Sequence, residues 1–174
     1  MADKERLAKE RVEQIGLFDF AGLYRYMHWW LKVKEYYGVT EDKYAEKINA
    51  KGEKDVDIIW NAAKTSDYIG GDSTYFRMEY IIKFEIRGMT DVEVEVDGVK
   101  KKMQKGRIWI EIKGWLTKDY ASKWDRTPFY RWLRHIYNEY VIPGRVEYYE
   151  DKVADDCRDF KEDIKQFFDM VGKR

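Results

Sequence analysis

Few residues in this chain have types and spacings that could do chemistry, and their settings favour packing instead. The only histidines, His28 and His135, lie far apart, each in a stretch rich in aromatic rings. A Cys–His nucleophile pair needs only spatial proximity, so Cys157 with either histidine is a formal candidate. Cys157 falls on the apolar stripe of a helical segment, however, where a thiol behaves as a small inert hydrophobe. Glu147, Glu150, Asp151, Asp155, Asp156, Asp159, Glu162 and Asp163 crowd the same segment. Without a Glu-x-x-His pattern they read as a solvated helix face and not as metal ligands. The three serines, Ser66, Ser73 and Ser122, stand outside any Gly-x-Ser-x-Gly turn, and neither a phosphate-binding glycine loop nor His-Glu-x-x-His occurs. These residues point away from an enzyme and imply neither cofactor nor metal.

Three surfaces carry more than folding obviously needs. Lys123-Trp124-Asp125-Arg126 leads into a helix that bears Arg131, Arg134, His135 and Asn138. Guanidinium forks beside a helix N-terminus suit an anion or an acidic partner helix. Within the chain, Glu147 or Glu150 of the last helix could answer them, and that internal pairing is the expectation. Trp109 and Trp115, with Ile81, stand on the outer face of a sheet among Glu111, Lys113 and Arg87. Indoles there stack on bases, sugars or an apolar partner, or lie under a helix; a covering helix is expected. Last, Tyr26, Trp29, Val33 and Tyr37 form a second apolar stripe beside the core stripe of an N-terminal helix.

The elements that position these residues follow from periodicity. Ala8, Val12 and Ile15 at helical spacing, closed by Gly16, predict a short docking helix over 3–15. Asp19 is an N-cap and Gly38 a stop for a second helix with the core stripe Phe20, Leu23, Tyr24, Met27, Trp30 and Leu31. From 39 to 120 the period becomes two. Tyr44, Glu46 and Ile48 mark a weak strand, and Val56, Ile58, Trp60 and Ala62 a stronger one, before a turn at Gly70-Gly71-Asp72. Met78, Tyr80, Ile82, Phe84 and Ile86 alternate with charges, as in an antiparallel sheet with one wet face. Asp97-Gly98 predicts a two-residue hairpin that sets Glu95 opposite Lys100 and Glu93 opposite Lys102. The return strand puts Ile108, Ile110, Ile112, Gly114 and Leu116 inside, and parity then demands a bulge at Gly88 or Gly106. Thr127-Pro128 opens a helix with the apolar face Phe129, Trp132, Leu133, Ile136, Tyr137 and Tyr140. Beyond Pro143-Gly144 the spacing predicts a helix of about 26 residues, about 39 Å long.

Seven Trp, fourteen Tyr and eight Phe sit among 38% charged residues. At 174 residues the chain is read as one α+β domain that buries roughly 70% of its unfolded surface. Its single antiparallel sheet of about five strands (39–120) packs against N-terminal helices (1–38) and long C-terminal helices (127–171), with those starting near Phe20 and Phe129 covering one face. Lys plus Arg balances Asp plus Glu at 33 each, so no net field draws the molecule to nucleic acid, an unlikely partner. One cysteine and a charged N-terminus without an apolar signal core fit the cytoplasm.

Gly16-Leu17-Phe18-Asp19-Phe20, Gly22-Leu23-Tyr24, Asp119-Tyr120, Trp124, Pro128-Phe129, Arg131-Trp132-Leu133-Arg134, Tyr137, Tyr140 and Val146-Glu147-Tyr148-Tyr149-Glu150-Asp151-Lys152 together resemble an uncharacterised family of small archaeal proteins. The resemblance implies an archaeal setting and no activity. The residues themselves favour a non-enzymatic binding or assembly module that uses aromatic surfaces, through self-association or a protein partner. A carrier of an apolar small molecule or lipid, in a cavity similar to that of helix-grip domains, is the alternative. Tyr26, Trp29, Trp30 and Tyr37 also suit a peripheral membrane contact, while the charges around them exclude a transmembrane segment.

Overall fold

The computed structural model describes residues 3–65, 75–96 and 98–172. In chain order these form β1 (Asp3–Phe18), α1 (Phe20–Val33), β2 (Tyr37–Ile48), β3 (Lys54–Thr65), β4 (Phe76–Val96), β5 (Val99–Lys118), α2 (Pro128–Ile136) and α3 (Pro143–Gly172). A π turn at Tyr137–Val141 links the last two helices. The strands make one antiparallel sheet in the order β1-β5-β4-β3-β2. The turn foreseen at Gly70-Gly71-Asp72 lies outside the described residues.

The segment 3–15 is a strand, not the docking helix its spacing suggests. Ala8 and Val12 stand four apart, and four is an even number, so the spacing that suits a helix face also suits one face of a strand. Pairing decided the matter. The long edge of β5 needs a partner for its backbone groups, and β1 supplies one from Asp3↔Lys118 to Phe18↔Gln104. Gly16 does not close a helix; it sits inside β1 opposite Gly106.

The strands of the central ribbon follow their alternation. Val96 pairs with Val99, Glu95 with Lys100 and Glu93 with Lys102, and the register slips between Arg87 and Thr90. That slip is the bulge parity required: Gly88 adopts φ +63°, and a Cβ on Gly106 would stand 3.0 Å from the Arg87 carbonyl. Only glycine fits both places easily. The slip brings Ile86 opposite Ile108, so Tyr80, Ile82, Phe84, Ile86, Ile110 and Ile112 share one buried face.

Two helices cover that face. α1 starts at Asp19, whose carboxylate accepts the Gly22 N–H at 2.8 Å, and buries Leu23, Met27, Trp30 and Leu31. It ends well before Gly38, because Glu35 itself takes the left-handed turn (φ 62°). α3 lays Val153, Cys157, Phe160 and Ile164 on the sheet. It approaches so closely that a Cβ on Gly114 would meet Cys157 Sγ and Val153 Cγ1 at 2.7 Å. The acidic run of α3 is not all solvated. Asp156 is buried, and its carboxylate accepts the Tyr36 hydroxyl at 2.7 Å, while Asp163 accepts the indole N–H of Trp30 at 2.7 Å. The helix beginning at Pro128, expected to cover the sheet, contributes no buried residue.

Candidate functional site

α2 is attached to the protein by its polar side. Where β5 ends, Asp119 is buried with a left-handed backbone (φ 51°), a conformation aspartate tolerates better than most residues. Its carboxylate accepts the backbone N–H groups of Lys123 at 2.9 Å and Trp124 at 3.0 Å. The Arg134 guanidinium closes on the same carboxylate at 3.5 Å, and both side chains are shielded. Thr127 caps the helix through the Tyr130 N–H at 3.3 Å, with Pro128 in the first turn. Past the helix end, Tyr137 stacks on Trp124 with ring centroids 5.2 Å apart and meets the edge of Tyr75 at 5.8 Å. The Tyr75 hydroxyl donates to Asn138 Oδ1.

Arg134 and Asn138 project from one side of a helical wheel, while Phe129, Trp132, Leu133 and Ile136 project from the other. With the first pair held against the fold, the apolar side must face out. Phe129 is 63% exposed and Trp132 56%, and Tyr140 on the π turn is 73% exposed. Phe129 touches both Tyr130 and Trp132, at 6.0 and 5.9 Å between centroids. Among the described residues, none of these rings packs against the core cluster. An amphipathic helix normally buries its apolar stripe; here the arrangement is inverted. A π turn, a form over-represented at functional sites, terminates it.

The arginines and His135 are not answered by α3. Arg131 faces Asp125 at 3.6 Å, Arg134 faces Asp119, and His135 faces Glu139 at 3.4 Å. The acids expected as partners are elsewhere: Glu150 takes Lys118 at 2.9 Å, and Glu147 is exposed. The acceptors therefore lie before or within the helical segment, because α2 docks on the strand end and not along α3. Arg126 is exposed with no partner among the described residues. Trp124 and Arg134 are structural; Arg126, Arg131 and His135 flank the exposed rings. Sequence reasoning named these flanks but assigned Phe129, Trp132 and Tyr140 to the core.

The other two surfaces are less distinctive. No helix among the described residues packs on the outer sheet face, which corrects the expected cover over Trp109 and Trp115. Cations do the shielding: Arg107 lies 4.7 Å from the Trp109 ring and Lys4 5.3 Å from that of Trp115. Cross-strand pairs such as Lys9–Glu111 and Arg87–Asp57, at 3.1 and 2.7 Å, lace the surface. A depression of about 360 Å³ opens there beside Lys4, Asn61, Arg77 and Glu79. Tyr26 of α1 stacks on Phe167 at 5.4 Å, whereas Trp29 and Val33 of the same helix are exposed. Tyr37, expected to continue that helix stripe, is exposed too but opens β2 opposite Ala63, because the helix has already ended. Trp30 is buried on Phe160 at 4.2 Å and takes no part in that stripe.

The one thiol is held inert. Burial, reinforced by the Asp156 charge, pushes the Cys157 thiol up to about 12. His28 is exposed, its ring 6.2 Å from that of Trp60, and His135 is exposed beside Glu139. No three metal-ligating side chains gather among the described residues, and no helix there is long and apolar enough to cross a membrane. No family model, curated protein or solved structure matches the chain.

Proposed function

We propose that this chain is a non-enzymatic binding module whose docking surface is the outward face of α2. One observation carries the reading: the helix is fixed by Asp119, Asn138 and Tyr137, so its rings cannot turn inward. Exposed contiguous rings cost solubility and mark contact sites. Aromatic residues beside arginine are the side chains that dominate binding hot spots. The carrier alternative needs space between sheet and α3, and the missing room for even a Cβ at Gly114 argues against it. The buried, unreactive thiol of the only cysteine supports a reducing compartment such as the cytoplasm.

The test is the double variant Phe129→Ser, Trp132→Ser. If the rings serve docking, its thermal midpoint stays within about 2 °C of wild type, as for surface substitutions, while retention on a hydrophobic-interaction column drops. A midpoint lowered by about 8 °C or more would place the rings in the core and end the reading.

A further inference from the structure

We propose that the occupant of this surface is an anionic lipid headgroup layer, on which α2 lies flat as an interfacial anchor. The inference rests on the docking reading above. Trp, Tyr and Phe are the rings that favour the boundary between headgroups and acyl chains, and a short helix with such a face and a cationic flank binds there. From Ala121 to Arg145 the chain carries Lys123, Arg126, Arg131, Arg134 and Arg145 against Asp125 and Glu139. Arg134 is committed to buried Asp119 and Arg131 faces Asp125, so the cations open to an anion are the two without an acidic neighbour. Arg126 and, beyond the π turn, Arg145 are exposed and have no side-chain partner among the described residues. The charge complementarity is thus toward an anionic surface, and each such cation raises partition to one about fivefold. Geometry agrees. The nine residues of α2 span roughly 13 Å, enough to rest on a surface and far too few to cross one. Because Arg134 and Asn138 hold the polar side against the fold, only something approaching from outside can cover the apolar side.

The experiment is co-sedimentation of the full chain with phosphatidylcholine vesicles, with and without phosphatidylglycerol, paired with sedimentation velocity in the absence of lipid. Wild type is expected to pellet with the anionic vesicles and stay in solution with the zwitterionic ones, with binding that weakens as salt is raised. Phe129→Ser with Trp132→Ser should reduce partition by about tenfold or more, and Arg126→Gln with Arg145→Gln by about ten- to thirtyfold. All four positions are exposed, and a circular-dichroism melt verifies that the variants fold. Anionic binding that survives the ring substitutions would overturn α2 as the anchor. Failure to pellet with either vesicle, together with self-association abolished by the ring variant, would overturn the lipid proposal and leave the docking reading intact. No pelleting and no association would overturn both.

Discussion

α2 and α3 are neighbours in sequence with the same apolar periodicity, yet they sit on the fold in opposite senses. α3 turns Val153, Cys157, Phe160 and Ile164 inward and places most of its carboxylates in water. α2, with the π turn that follows it, turns Arg134 and Asn138 inward and places Phe129 and Trp132 in water. What separates them is what lies underneath. α3 crosses the aliphatic face of the sheet, where each ring removed from water stabilises the fold. α2 lies past the end of β5, over a buried carboxylate and a tyrosine hydroxyl that need polar partners. Stripping Asp119 of Arg134 and of the Lys123 and Trp124 N–H groups together would cost more than leaving two rings exposed, because a buried charge with no partner at all is destabilising by roughly 3–5 kcal/mol. Electrostatics thus overrides hydrophobic burial at one end of the molecule and follows it at the other.

The strongest test of that contrast is Phe160→Ala. Phe160 is fully buried and stacked on Trp30, so truncation should cost about 3–5 kcal/mol in a denaturant titration. A loss below about 1 kcal/mol would mean that α3 is no better seated than α2. Gly114→Ala probes the same contact from the sheet side. The new methyl must displace Cys157 and Val153 from 2.7 Å, with an overpacking cost of about 1–3 kcal/mol; a neutral result would show that α3 can ride outward.

The ribbon from 76 to 118 was legible because alternation, the Asp97-Gly98 signal and the parity argument all bear on adjacent strands. β1 was not, since the four-residue spacing of Ala8 and Val12 belongs to both periods and its partner β5 is about a hundred residues away. Asp156 was read as solvated with its neighbours, although it stands three residues after Val153 and four before Phe160, on the core stripe; the spacing held the signal. For α2 the apolar face was plain, but not the side it presents. That choice is made by Asp119 and Tyr75, whose burial no local pattern announces.

Alkaline stability sharpens the picture of the α3 interface. The Cys157 thiol, raised to about 12 in the fold, ionises near 8.5 in the unfolded chain. A raised group stabilises fully below its unfolded pKa and ceases to do so as pH climbs through its folded one. Unfolding free energy should therefore fall by about 1.4 kcal/mol per pH unit from about pH 8.5 upward. Tyr36, raised by burial and then by the Asp156 charge, and Tyr80, raised by burial and then by Tyr36, steepen the fall above about pH 10. In Cys157→Ala the decline below pH 10 should vanish; an unchanged slope there would show the thiol reaches water.

The smallest global effect and the most local one belong to Asp119→Asn. Asparagine keeps an oxygen for the Lys123 and Trp124 N–H groups and accepts the left-handed backbone, so the turn survives. What goes is the charge facing Arg134 at 3.5 Å, which lowers the anchoring of α2 by about 1–1.5 kcal/mol. Hydrogen exchange read segment by segment should then show α2 amides exchanging about tenfold faster, with those of α3 and β5 unchanged. Equal acceleration across α3 would mean that the two helices open together, and that the ends of this molecule are one cooperative unit. Unchanged α2 protection would show that the ring stacking of Trp124, Tyr137 and Tyr75 holds the helix alone. The inversion would then owe nothing to charge.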